Sequence, residues 1–123
     1  MKTLRLAAVT ALFLLLATAN ASAFWYSAMS ENDSVERATE TKVFTHKLAE
    51  QAQGTELRLG LKLKQGQAVV TLIDPAGRAR YRQTFNAGRS DVEEKFRGRQ
   101  GQWQVRVEFK GATGRYSVKL VDF

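Results

Sequence analysis

From residue 101 to residue 120 the chain reads GQWQVRVEFKGATGRYSVKL. Trp103, Val105, Val107 and Phe109 alternate with Gln104, Arg106 and Glu108. Successive side chains of a strand point to opposite faces, so this period of two puts four large apolar groups on one side. Tyr116, Val118 and Leu120 repeat the pattern against Arg115, Ser117 and Lys119. Between the two runs, Gly111-Ala112-Thr113-Gly114 carries turn chemistry. The stretch therefore predicts two strands joined by a turn. Together they form half of a wall whose inner surface needs a second wall.

The same period recurs upstream. Residues 56–64, ELRLGLKLK, place Leu57, Leu59, Leu61 and Leu63 on one face. Glu56, Arg58, Gly60, Lys62 and Lys64 occupy the other. A helix would scatter these leucines around its circumference. Gln65-Gly66 then predicts a two-residue hairpin turn. Residues 67–73, QAVVTLI, are apolar on both faces, as in a central or covered strand. In Asp74-Pro75-Ala76-Gly77, proline presets φ, aspartate can accept from downstream amides and glycine can take positive φ. Three further strands are predicted at residues 42–48, 78–85 and 91–96. Residues 27–39, SAMSENDSVERAT, read as a loop or a short helical turn. A short helix also remains open for the connection at residues 49–54.

Seven half-buried strands with closely spaced turn signals predict an all-β fold, an antiparallel, jelly-roll-like β-sandwich. A small OB-type barrel is the alternative. The predicted core is Leu57, Leu59, Leu61, Leu63, Val70, Leu72, Tyr81, Phe85, Phe96, Trp103, Val105, Val107, Phe109, Tyr116, Val118 and Leu120.

The N-terminus reads differently. Lys2 and Arg5 precede fourteen uncharged residues, 6–19, and Ala21-Ser22-Ala23 is a small-x-small site. These are the three parts of a secretory signal peptide. The apolar run is shorter than the roughly 20 residues a membrane span needs. The predicted organisation is a signal peptide at 1–23, a polar and aromatic segment at 24–38 and a β-sandwich domain at 39–123. No later segment has the composition of a membrane span. Cysteine is absent, so neither a disulfide nor a lipid-modified cysteine is available. An exported, cysteine-free small chain points to a bacterial periplasmic or secreted protein.

Catalytic chemistry finds little material. Without cysteine there is no thiolate nucleophile and no Cys-ligated zinc. His46 is the only histidine, and its strand setting predicts a packed or rim residue. Asp74, Asp91 and Asp122 are the acids that calcium would require at one end of the fold, but Asp74 is accounted for by its turn. No phosphate loop or nucleophile elbow occurs. The prediction is no enzyme and no cofactor.

Nineteen Lys and Arg face twelve Asp and Glu, a formal net charge of +7. Arg78, Arg80 and Arg82 alternate along one predicted strand. Arg58, Lys62 and Lys64 do so on another, and Arg106 belongs to a third. If these strands share a sheet, they form a basic face suited to phosphate, sulfate or carboxylate. The expected function is a binding module for an anionic envelope component or an acidic protein, with no specific nucleic acid as partner. The alternative is an accessory subunit that contacts a protein partner through Phe24, Trp25 and Tyr26.

One resemblance adds to this reading. Residues 72–77 (LIDPAG), 101–107 (GQWQVRV) and 114–118 (GRYSV) follow one another as an apolar strand, a D/P/G turn, a Gly-x-Trp strand and a Gly-x-Tyr strand. This order resembles the pre-peptidase C-terminal type of secreted β-sandwich. The resemblance spans residues 56–120 and implies the fold. Modules of that type are usually appended to secreted enzymes, and no enzyme is attached here, so the family role does not carry over.

Overall fold

The structure is a computed structural model in which residues 28–123 are described. The predicted signal peptide and the Phe24-Trp25-Tyr26 segment lie outside the described residues. Five strands are present: β1 (Ala28–Leu48), β2 (Gly54–Ile73), β3 (Ala79–Phe85), β4 (Gly88–Arg97) and β5 (Gly101–Asp122). All pairings are antiparallel, in the order β1-β5-β2-β3, with β4 also paired to β2.

Three of the strands are 20 to 22 residues long, and each bends once. The bends divide one sheet into two layers that face each other. The front layer contains the pairing of β4 with residues 54–63, of these with 114–122, and of the latter with 28–35. The back layer contains β3, residues 67–73, residues 101–112 and residues 38–48. Aromatic contacts bridge the layers. The rings of Tyr81 and Phe96 are 6.0 Å apart, and those of Phe44 and Tyr116 are 6.2 Å apart.

Each bend shifts the apolar phase by one residue. In β2 the buried series runs Leu57, Leu59, Leu61, Leu63 and then Ala68, Val70, Leu72. In β5 it runs Trp103, Val105, Val107, Phe109 and then Ala112, Tyr116, Val118, Leu120. An odd number of extra residues at the corner keeps both halves facing the same core. The register shifts coincide with these corners, between Leu63 and Gln67 and between Val35 and Glu40. Bonds join the corners of β1 and β5: Arg37 N donates to Thr113 Oγ1 (2.9 Å), and Gly111 N donates to Thr39 Oγ1 (3.0 Å).

Three sequence expectations are thereby corrected. Five strands, three of them bent, replace seven separate ones. Gln65-Gly66 and the 111–114 segment are corners within continuous strands, because the halves they join pair with neighbours and not with each other. The polar 27–39 segment holds the first part of β1 from Ala28 onward, because residues 28–35 find partners along 114–121. The 49–54 connection carries a turn in which Ala52 N donates to the Ala49 carbonyl (3.1 Å). Of the predicted core, only Tyr81 is merely half-buried; Leu48, Ala68 and Ala112 join it.

The Asp74 turn forms as its residues predict. Asp74 Oδ1 accepts from the amides of Ala76 and Arg78, both at 2.9 Å, and Gly77 has φ +86°. The Arg78 amide is the main reason that the Asp74 carboxyl is held below its ordinary pKa. The Ala76 amide and the charges of Arg78 and Arg80 add to this, against the opposing effect of burial. A lowered folded-state pKa means stability that is present above the unfolded value of about 4 and is lost as pH falls through the folded one. Asp74→Asn should therefore cost about 1–2 kcal/mol at neutral pH, as loss of a charged cap does. It should also flatten the acid limb of a pH–stability curve measured by urea unfolding.

Candidate functional site

The outward positions of the front layer align in rows across four strands. Directly opposed residues of neighbouring strands project to the same face. One row reads Ser34, Arg115, Lys62, Arg89. Two residues along the strands, the next row reads Asn32, Ser117, Gly60, Asp91. The third reads Ser30, Lys119, Arg58, Glu93. The middle row is built of small or short side chains, while the rows beside it carry long cations. The result is a groove that crosses the sheet over Gly60. The groove is shallow and open to solvent; its larger part, on the Lys62 and Arg115 side, has a volume of about 560 Å³, and its smaller part, on the Arg58 and Lys119 side, about 290 Å³.

The charges there are incompletely neutralised. Arg58 donates to Glu56 (2.8 Å), and Arg89 Nε lies 3.4 Å from Asp91 Oδ2. Lys62, Arg115 and Lys119 make no ion pair with the described residues. Arg115, Lys62 and Arg89 stand directly opposite one another, an arrangement of like charges that costs stability. Tyr116, whose backbone lies along the groove, turns its ring into the core, and burial raises its hydroxyl above the ordinary tyrosine pKa.

The basic residues singled out from the sequence do not share one face. Arg58 and Lys62 line the groove, and Lys64 follows at the corner of β2. Arg82 lies on the opposite, back layer, where it donates to Thr71 Oγ1 (3.3 Å) and lies 4.0 Å from Glu108. Arg106 sits beside it, in register with Thr71. Arg78 precedes β3, with its side chain 79% exposed and 3.9 Å from Asp74. Arg80 falls at a register shift, since Leu72 pairs with Tyr81 and Ile73 with Ala79. It therefore stands at the end of the sandwich, 5.6 Å over the Trp103 ring, and donates to the Arg97 carbonyl (2.9 Å). The arginines at 78, 80 and 82 thus form no row. Sequence reasoning missed Arg89, Arg115 and Lys119 as members of the basic face. The alternation of residues 115–119 showed that Arg115 and Lys119 point outward; the strands they would lie beside were not legible.

The remaining acid and histidine candidates are dispersed. His46 is 7% exposed, with Nε2 2.6 Å from Asp122 Oδ1. Asp122 Oδ2 accepts from the Ala49 amide (3.0 Å), so this buried pair ties the end of β1 to the end of β5. Asp91 lies in the groove and Asp74 in its turn. Among the described residues, no three His, Cys, Asp or Glu side chains are grouped to hold a metal ion, and no helix is long and apolar enough to cross a membrane.

No family model matches the chain, and no curated protein matches it in sequence. Its fold does have counterparts. The chain is similar to the mitogen derived from Yersinia pseudotuberculosis, with a TM-score of 0.53 at 12% identity, covering 78% of this chain and 86% of that one. It is also similar to the pre-peptidase C-terminal domain of a collagenase from Bacillus anthracis, with a TM-score of 0.52 at 13% identity, covering 75% of this chain and 87% of that one. At these identities the likeness concerns the β-sandwich fold. It accords with the fold implied by the LIDPAG, Gly-x-Trp and Gly-x-Tyr segments.

Proposed function

We propose that the protein is a non-enzymatic, exported binding module that holds a polyanion on the front face of its sandwich. The observation that carries this reading is the alignment of Arg115, Lys62 and Arg89 on three adjacent strands beside an open groove. Two of the three have no ion-pair partner among the described residues. Like charges set side by side are unfavourable in the free protein, and an anion laid across them relieves that repulsion. Lys119 and Arg58 extend the field on the far side of the groove. Arg82 and Arg106 on the back layer, with Arg78 in the turn before β3, add a second field, weakened where Arg82 lies 4.0 Å from Glu108, that steers anions at long range.

The double variant Lys62→Glu/Arg115→Glu tests the reading on a heparin column and in a thermal melt. It should elute at clearly lower salt than the unaltered protein. Its stability should hold to within about 1 kcal/mol, because the carboxylate placed at position 62 gains Arg89 as a partner while positions 62 and 115, directly opposed, still carry like charges. The triple variant Arg78→Ala/Arg82→Ala/Arg106→Ala should shift elution less. Co-elution of the double variant with the unaltered protein would remove the front face from consideration.

A further inference from the structure

Gly60 occupies the centre of a strand, where a glycine costs backbone entropy and contributes no packing. Its backbone does not require glycine, since Gly60 is absent from the positive-φ positions. A methyl group there would stand 2.9 Å from Ser117 Oγ and 3.6 Å from Asp91 Oδ1, both ends of movable side chains. Neither backbone geometry nor core packing therefore accounts for it. What glycine does supply is depth, because it is the lowest point of the groove floor. A glycine inside a strand often marks the place where a ligand approaches the backbone closely.

We propose that the groove takes a linear acidic glycan, laid across the strands with one sugar seated on Gly60. This rests on the polyanion reading above and adds the chemical class of the ligand. Four strands about 4.8 Å apart make the groove about 14 Å long, long enough to lay a linear chain across the strands. Asn32, Ser117 and Asp91 flank Gly60 along the floor. A carboxamide, a hydroxyl and a carboxylate suit ligand hydroxyls. The Asp91 carboxylate repels a bare polyanion but accepts from a sugar hydroxyl. The cations of the two flanking rows take the ligand's carboxylates or sulfates. None of the outward residues in the three rows is aromatic, so the face lacks the stacking platform that a neutral sugar would use for affinity.

Binding of oligogalacturonate, measured by calorimetry on the full chain, tests this with polyglutamate of matched charge as the comparison. Gly60→Val and, independently, Ser117→Val fill the floor and leave every charge in place. Each substitution favours strand structure, so the thermal midpoint should hold or rise. Each should weaken oligogalacturonate binding by about tenfold or more, the loss produced at a central contact. Polyglutamate should bind more weakly than oligogalacturonate, and should respond to Lys62→Glu/Arg115→Glu but little to Gly60→Val. If both floor variants bind oligogalacturonate as the unaltered protein does, while the charge variant loses binding, the seated glycan is wrong and the basic face stands. Equal or tighter binding of polyglutamate would assign the face to an acidic peptide. If the charge variant keeps full affinity for both polymers, both readings fall.

Discussion

Trp103→Ala is expected to lower the thermal midpoint by about 12–40 °C, the largest effect of any single side-chain truncation considered. The indole is fully buried, with 0% of its surface exposed. Its Nε1 donates to the Arg99 carbonyl (3.1 Å), and the Arg80 guanidinium covers its ring at 5.6 Å. Gly98 lies so close that a methyl group there would stand 2.5 Å from Trp103 Cζ2. One ring thus joins β3, the β4–β5 connection and the core of the back layer. Truncating a buried tryptophan costs about 3–5 kcal/mol, out of a total stability of about 5–15 kcal/mol for a domain. About 4–8 °C per kcal/mol for a domain of this size sets the predicted range. Trp103→Phe keeps a ring but drops the donor to Arg99, so it should fall between the two. A melt of Trp103→Ala within about 5 °C of the unaltered protein would mean that the two layers do not depend on this ring.

The second large effect is expected at a corner. Gly66 has φ +85°, and its backbone lies against the corner of β5. A methyl group there would overlap the Gly111 carbonyl oxygen and stand 2.5 Å from the Ala112 Cα and the Gly111 carbonyl carbon. Both atoms belong to backbone and cannot rotate away. The conformational term is about 1–3 kcal/mol, and forced overpacking adds about 1–3 kcal/mol. Gly66→Ala should therefore destabilise by about 2–6 kcal/mol in urea unfolding. Gly77 provides the control. It has φ +86° with nothing within 4 Å of the added methyl, so Gly77→Ala should show the conformational term alone. Equal losses at the two positions would show that the corners of β2 and β5 do not nest.

Gly66 also shows where sequence reading ran out. The apolar series in β2 changes from odd to even positions across Gln65-Gly66. A hairpin turn and a one-residue corner produce that same pattern. The difference lies in whether residues 57–63 pair with residues 67–73 or both pair with β5, and local residues do not encode it. The polar segment 28–35 has a related history. With only Met29 and Val35 to alternate against acids and small polar groups, it carries little strand signal. It becomes part of β1 because β5 offers it an open edge. Arg80 is a third instance. Period two sets it in line with Arg82, and one register shift against β2 moves it to the end of the sandwich.

Composition and periodicity alone determined that the chain is all-β, that its core is the alternating leucine, valine and aromatic set, and that its outward positions are rich in cations. Those properties depend on side-chain spacing of two, which is local. Tertiary structure decided which cations share a face, because that depends on lateral register between strands distant in sequence. Lys62 meets Arg115 and Arg89 only when β5 and β4 pair on either side of β2. The groove over Gly60 exists for the same reason. A glycine, a serine, an asparagine and an aspartate from four separate segments become one floor through hydrogen bonds between backbones.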